Sequence, residues 1–129
     1  MRDIESREDV KLLVDTFYSY VHQDEKMAPV FKMPKEQFER HLERTYNFWD
    51  NWLFRTGSYQ GGLMWAHIEK NMSYPITTEL FERWLAHWFR SADELFKGEN
   101  TEIVKSKALE LGQIMNSKLS SMRSASPNS

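Results

Sequence analysis

The chain has 129 residues, enough for one domain with a real core. Its formal net charge of −2 leaves no basic face for nucleic acid, and the absence of cysteine excludes disulfides, thiolate metal sites and cysteine nucleophiles. Aromatic residues make up 14% of the chain (Trp 5, Tyr 5, Phe 8), a heavy load that suits a core built around large flat groups.

The opening Met1-Arg2-Asp3-Ile4-Glu5 is charged and lacks the apolar run of a secretory signal. No stretch approaches the roughly 20 apolar residues that span a bilayer, so a soluble, cytoplasmic protein without membrane contact is expected. A first helix should begin near Ser6, where Ser6 and Asp9 resemble a capping box. Its apolar residues Val10, Leu13, Val14, Phe17, Tyr18 and Val21 repeat at helical spacing. It should stop near Gln23-Asp24, ahead of a turn around Ala28-Pro29.

Pro34 suits the first position of a second helix, because the N–H it lacks has no partner there. That helix should run to about Phe54, with Phe38, Leu42, Thr45, Trp49 and Trp52 inward and His41 and Phe48 flanking the stripe. The run Gly57-Ser58-Tyr59-Gln60-Gly61-Gly62 breaks the chain, a short helical piece is expected over residues 63–70, and Pro75 ends the next loop. Thr77 or Thr78 should cap a third long helix, with Glu79 and Glu82 well placed for its dipole. Its broad apolar face reads Phe81, Trp84, Leu85, Trp88, Phe89, Ala92 and Phe96, and Gly98 is the expected stop. A last helix should start near Asn100 or Thr101 and bury Ile103, Val104, Ala108, Leu111, Ile114, Met115 and Leu119. From about Ser120 the chain is Ser-rich and contains Pro127, so residues 121–129 are expected to be a disordered tail on a folded domain of residues 1–120. No strand alternation competes, and the fold class is all-α.

His41 lies on the buried stripe of the second helix, and His67 lies on the short piece beyond the glycine turn. A reversal at the glycines would set them on opposite sides of an aromatic-lined slot. That suits a flat iron macrocycle, with one imidazole on the metal and the other at the open coordination position. A histidine on an apolar face is also commonly a satisfied core residue, and an aromatic stripe commonly plain core. Periodicity therefore leaves a haem-free helical bundle open as well. His22 and His87 read as solvent-facing or rim positions, and Glu79, Glu82 and Arg83 as a solvated face.

The ordered set Phe17-Tyr18 with Val21 and Asp24, Pro29-Val30-Phe31, His41, Phe48-Trp49, Tyr59 with Gly61, His67, Phe81-Glu82-Arg83-Trp84-Leu85, and Asp93-Glu94-Leu95-Phe96 with Gly98 resembles the group III truncated haemoglobins. These are a bacterial branch of the two-over-two helical globins, and the resemblance runs from about Ile4 to Leu119. It implies a truncated globin, a two-over-two helical sandwich around haem b. His67 would be the proximal iron ligand, and Tyr18, His41 and Trp84 the distal hydrogen-bonding set. Phe31 would wedge against the macrocycle, and Phe48 and Trp49 would join the haem-binding residues. Arg40, Arg44 and Arg55 are candidates for a propionate. The chain departs from the pattern at Leu63, where the family usually has proline, and over Asn71-Met72-Ser73-Tyr74.

The function this implies is binding of dioxygen or another diatomic gas at the iron, with nitric oxide dioxygenase or peroxidase-like redox chemistry as a possible use. A bis-histidine electron-transfer protein and a ligand sensor without turnover are the alternatives. A reductase would be the protein partner of an enzyme, and a monomer or weak homo-oligomer is expected.

Overall fold

A computed structural model describes residues 1–55 and 77–124. The expected glycine turn, the short helix at 63–70, Pro75 and residues 125–129 lie outside the described residues. Helix α1 spans Arg7–Gln23, a 3-10 turn spans Ala28–Phe31, α2 spans Lys35–Phe54, α3 spans Thr78–Leu95 and α4 spans Glu99–Ser124. There is no strand among the described residues, and no described helix is long and apolar enough to cross a membrane.

The start of α1 is a modified capping box. The Ser6 side chain accepts from the Asp9 N–H at 3.4 Å, but the Asp9 carboxylate reaches back to the Glu5 N–H at 2.9 Å rather than to Ser6. Arg2 donates to the same carboxylate at 2.6 and 2.5 Å, tying the segment before α1 to the helix. All six apolar residues anticipated on α1 are buried.

Pro34 sits one position earlier than expected. With ψ 147 it is outside the helix as its cap, and its carbonyl accepts from the Phe38 N–H at 3.0 Å. The buried residues of α2 are Thr45, Tyr46, Trp49 and Asp50, so the stripe is rotated from the one read in the sequence. Trp52 is consequently not inward: it is 46% exposed, and the Lys107 ammonium lies 4.0 Å from its ring. Arg55 closes α2 in the left-handed region (φ 53), donating its N–H to Asn51 O.

Thr77 caps α3 by accepting from the Leu80 N–H at 3.3 Å. The helix stops at Leu95 with Phe96 as its cap, so Gly98 is not the immediate stop. Gly98 instead takes φ +149 in the link to α4, where an added Cβ would stand 2.5 Å from Asp3 Cγ. That close approach lets the Asp3 carboxylate cap α4, accepting from Asn100 N–H (2.8 Å), Thr101 N–H (2.9 Å) and the Thr101 hydroxyl (2.7 Å). On α4, Val104, Ala108, Met115 and Leu119 face the core, while Ile103 and Ile114 are 37% and 42% exposed, contrary to the sequence reading. The helix continues to Ser124.

The helices form two pairs, α1 with α2 and α3 with α4, and α1 lies on α3 to join them. Phe17 is the hinge of the packing: its ring meets Trp84 and Trp88 edge-on, and Trp88 stacks on Trp49 at 4.9 Å. Burying side chains of this size contributes roughly 1.5–3 kcal/mol each. The indole N–H of Trp88 is satisfied by Val104 O at 3.0 Å, so the core is closed without an orphaned donor there.

Candidate binding pocket

Helical spacing puts Tyr18 on the buried side of α1, one residue after Phe17, and His41 on the facing side of α2. The Tyr18 hydroxyl and His41 Nε2 are 2.5 Å apart. Burial pushes the Tyr18 phenol well above its usual range, so it keeps its proton at neutral pH. The phenol O–H can then donate to a neutral Nε2. Thr45, one turn along α2, donates its hydroxyl to His41 O at 2.9 Å.

Aromatic rings enclose this pair. Phe31, delivered by the 3-10 turn, stands 5.4 Å from the Tyr18 ring and 5.9 Å from His41. Phe38 meets Tyr18 edge-on at 5.3 Å. The outer sides of Phe31 and Phe38 face an open groove of about 620 Å³ edged by His22, Glu25, Lys32 and Lys35. Trp84 is one ring removed from Tyr18, through Phe17, which lies 4.9 Å from Tyr18 and 6.1 Å from Trp84.

Tyr18, His41 and Phe31 are therefore brought together, with Trp84 at their border. Trp49 is buried against Trp88, and Phe48 is half-buried and edge-on to Trp49 at 5.0 Å. His67, Tyr59, Gly61 and Leu63 lie outside the described residues. Arg40, Arg44 and Arg55 are exposed. No group of three or more metal-ligating side chains occurs among the described residues. His41 is half-buried beside the Tyr18 phenol.

The sequence reading missed a second polar cluster beside the pocket. Asp24, which ends α1, accepts from Arg83 Nη1 at 3.0 and 3.1 Å and from His87 Nε2 at 2.8 Å. Burial opposes its charge, yet the hydrogen bonds from His87, Arg83 and the Lys26 and Met27 N–H groups hold the carboxyl down at about 2. Arg83 is thus half-buried in an ion pair rather than part of a freely solvated face. Its lone local signal is the i, i+4 spacing to Glu79, which it also reaches.

No family model matches the chain. A group 3 truncated haemoglobin, ctb, from Campylobacter jejuni subsp. jejuni serotype O:2 is 25% identical over 107 residues, 80% of this chain and 82% of that protein. The crystal structure of a group III truncated haemoglobin from Campylobacter jejuni superposes with a TM-score of 0.79 at 22% identity, covering 92% of this chain and 95% of the other. The fold is the all-α truncated-globin fold, and the resemblance to group III truncated haemoglobins carried by the sequence motifs is met in both comparisons.

Proposed function

We propose that this truncated-globin chain binds haem b and holds a diatomic gas beside Tyr18 and His41, with His67 as the iron's protein ligand. The observation that carries the reading is the Tyr18–His41 pair, 2.5 Å apart and enclosed by Phe31 and Phe38. A phenol and an imidazole side by side among aromatic rings can hydrogen-bond a small ligand, which supports this reading. The chemistry of these residues fits the group: Phe31 would offer a ring face, the Tyr18–His41 pair a polar edge, and half-buried Phe48 a further apolar surface along α2, while Trp49 would back it from the core, where it stacks on Trp88.

Haem, when bound, supplies the redox-active iron to which the gas binds. The chain supplies polarity and access. A protonated Tyr18 phenol donates to a partly negative ligand atom, and the His41 imidazole holds that phenol in place or donates in turn. The Trp84 indole is a third donor at the border of the site. Such a set slows loss of dioxygen, which suits retention and reaction with nitric oxide or peroxide better than transport. A reductase is the partner that turnover would require, and a cytoplasmic monomer or weak homo-oligomer is the form proposed.

The bis-histidine alternative is disfavoured by the same pair. His41 Nε2 is engaged by the Tyr18 hydroxyl, and ligation of iron through that nitrogen would have to give up this hydrogen bond. The absorption spectrum of the ferrous, ligand-free protein tests this. A five-coordinate spectrum is expected, and a six-coordinate low-spin spectrum lost in His41→Leu would overturn it. Tyr18→Phe should speed oxygen release by about tenfold, the loss expected for a charge-assisted hydrogen bond of roughly 1.5 kcal/mol. An unchanged rate would remove Tyr18 from the role. Rapid mixing of the oxygen complex with nitric oxide, with a reductant present, distinguishes an enzyme from a sensor by sustained turnover.

A further inference from the structure

We propose that Asp24 is a positioning residue for the ligand pocket: it fixes where Tyr18 and Phe31 stand relative to Trp84. This rests on the haem-pocket reading above. The Asp24 side chain is 6% exposed. Its carboxylate takes donors from two directions: Arg83 and His87 from α3, and the Lys26 and Met27 N–H groups, at 2.9 and 3.3 Å, from its own loop. A carboxylate has about four lone-pair sites, so this one is filled.

The main chain of the same residue is equally committed. Its N–H closes α1 on Tyr20 O and Val21 O, and its carbonyl accepts from Met27 N–H (3.1 Å) and Ala28 N–H (2.8 Å). One residue therefore ties the end of α1, the loop into the 3-10 turn and the outer side of α3. Each of these elements carries a pocket residue close by. Tyr18 lies under two turns before Asp24 on α1, Phe31 ends the 3-10 turn, and Trp84 follows Arg83 and precedes His87 by one turn of α3.

The surrounding charges reinforce the tie. Glu79 accepts from Arg83 Nε at 3.4 Å and from Lys26 Nζ at 2.9 Å, so α3 also grips the loop from outside. His87 stacks on Tyr20, whose phenol donates to Glu94. Exposed ion pairs of that kind contribute little by themselves. The buried carboxylate is the centre, because removing its charge leaves the Arg83 and His87 donors facing a partner that no longer accepts them all.

The test uses the full chain loaded with haem, its carbon monoxide complex and its oxygen complex. The infrared C–O stretch reports the field of the pocket donors, which a residue acting only on fold stability does not move. Asp24→Asn should split or shift that band and speed oxygen release by about tenfold, as a small misplacement of a donor does. His87→Ala should do the same in part, and His87→Gln, whose amide N–H can still reach Asp24, should restore the wild-type band. Asp93→Asn, which removes an equal charge at the Lys105 pair, should leave both readouts unchanged. A wild-type band and release rate in Asp24→Asn, whatever its stability, would make Asp24 a fold staple and overturn the inference. If that variant does not fold, identical bands in His87→Ala and His87→Gln overturn it as well. A wild-type chain with no Soret band removes the haem reading and this inference together, whereas a normal Soret band with unresponsive variants removes this inference alone.

Discussion

Asp24 and Asp3 are carboxylates whose folded surroundings favour the charged form. Both are held below the ordinary value of 3.8, Asp24 at about 2, by hydrogen bonds that outweigh the burial opposing their charge. A depressed folded-state value means the unfolded chain takes up the proton first, so the stabilisation is complete above about pH 4 and is lost as pH falls toward the folded value. For Asp24 the shift corresponds to on the order of 2 kcal/mol. Urea unfolding between pH 5 and pH 2 should show wild type losing that component and Asp24→Asn lacking it, and parallel curves for the two would contradict the assignment. The burial of Tyr18 was legible at this scale because it falls on the inward stripe of α1, whereas His41 flanks the stripe of α2 and is half-buried. Asp24 and Arg83 were not: 59 residues separate them, and a charged residue at a helix end looks the same in sequence whether it is solvated or clamped.

Helix boundaries follow capping chemistry, which is why most of them were readable. Ser6 and Thr77 stand where their side chains accept from the third residue beyond, and either changed to Ala should cost about 1 kcal/mol. Guanidinium denaturation checks this, since an unchanged midpoint would mean the cap is idle. The two described glycines should respond in opposite directions. Gly98→Ala forces a side chain into φ +149 and against Asp3, undoing the cap of α4, and should cost more than a typical surface change of 0.5 kcal/mol. Gly112 is interior to α4 and an added Cβ would sit 3.5 Å from Leu85 and Trp84, ordinary contact, so Gly112→Ala should stabilise by about 0.5–1 kcal/mol. The sequence pattern gave Gly98 the role of a helix stop because glycine commonly has it. That the position serves a contact with Asp3, far away in the chain, has no local signature.

At the scale of the molecule, the helical class and the aromatic core were legible from period and composition, whereas which face of each helix turns inward was less so. Trp52, Ile103 and Ile114 are apolar yet lie at the borders of their stripes, and Trp52 keeps its place beneath Lys107 instead of in the core. The pairing of α1 with α2 and α3 with α4 is a tertiary fact that short-range patterns leave open, and the similarity to the Campylobacter jejuni truncated haemoglobin structure agrees with it. The resemblance carried one role beyond the described residues, that of His67 as the ligand to iron. Expression with haem supply, comparing wild type with His67→Ala, tests that claim most directly. The account predicts a Soret band with one haem per wild-type chain and its loss or marked weakening in His67→Ala while the helical content stays the same. A wild-type chain that takes up no haem, or a His67→Ala chain with an unchanged Soret band and ferrous spectrum, would contradict it.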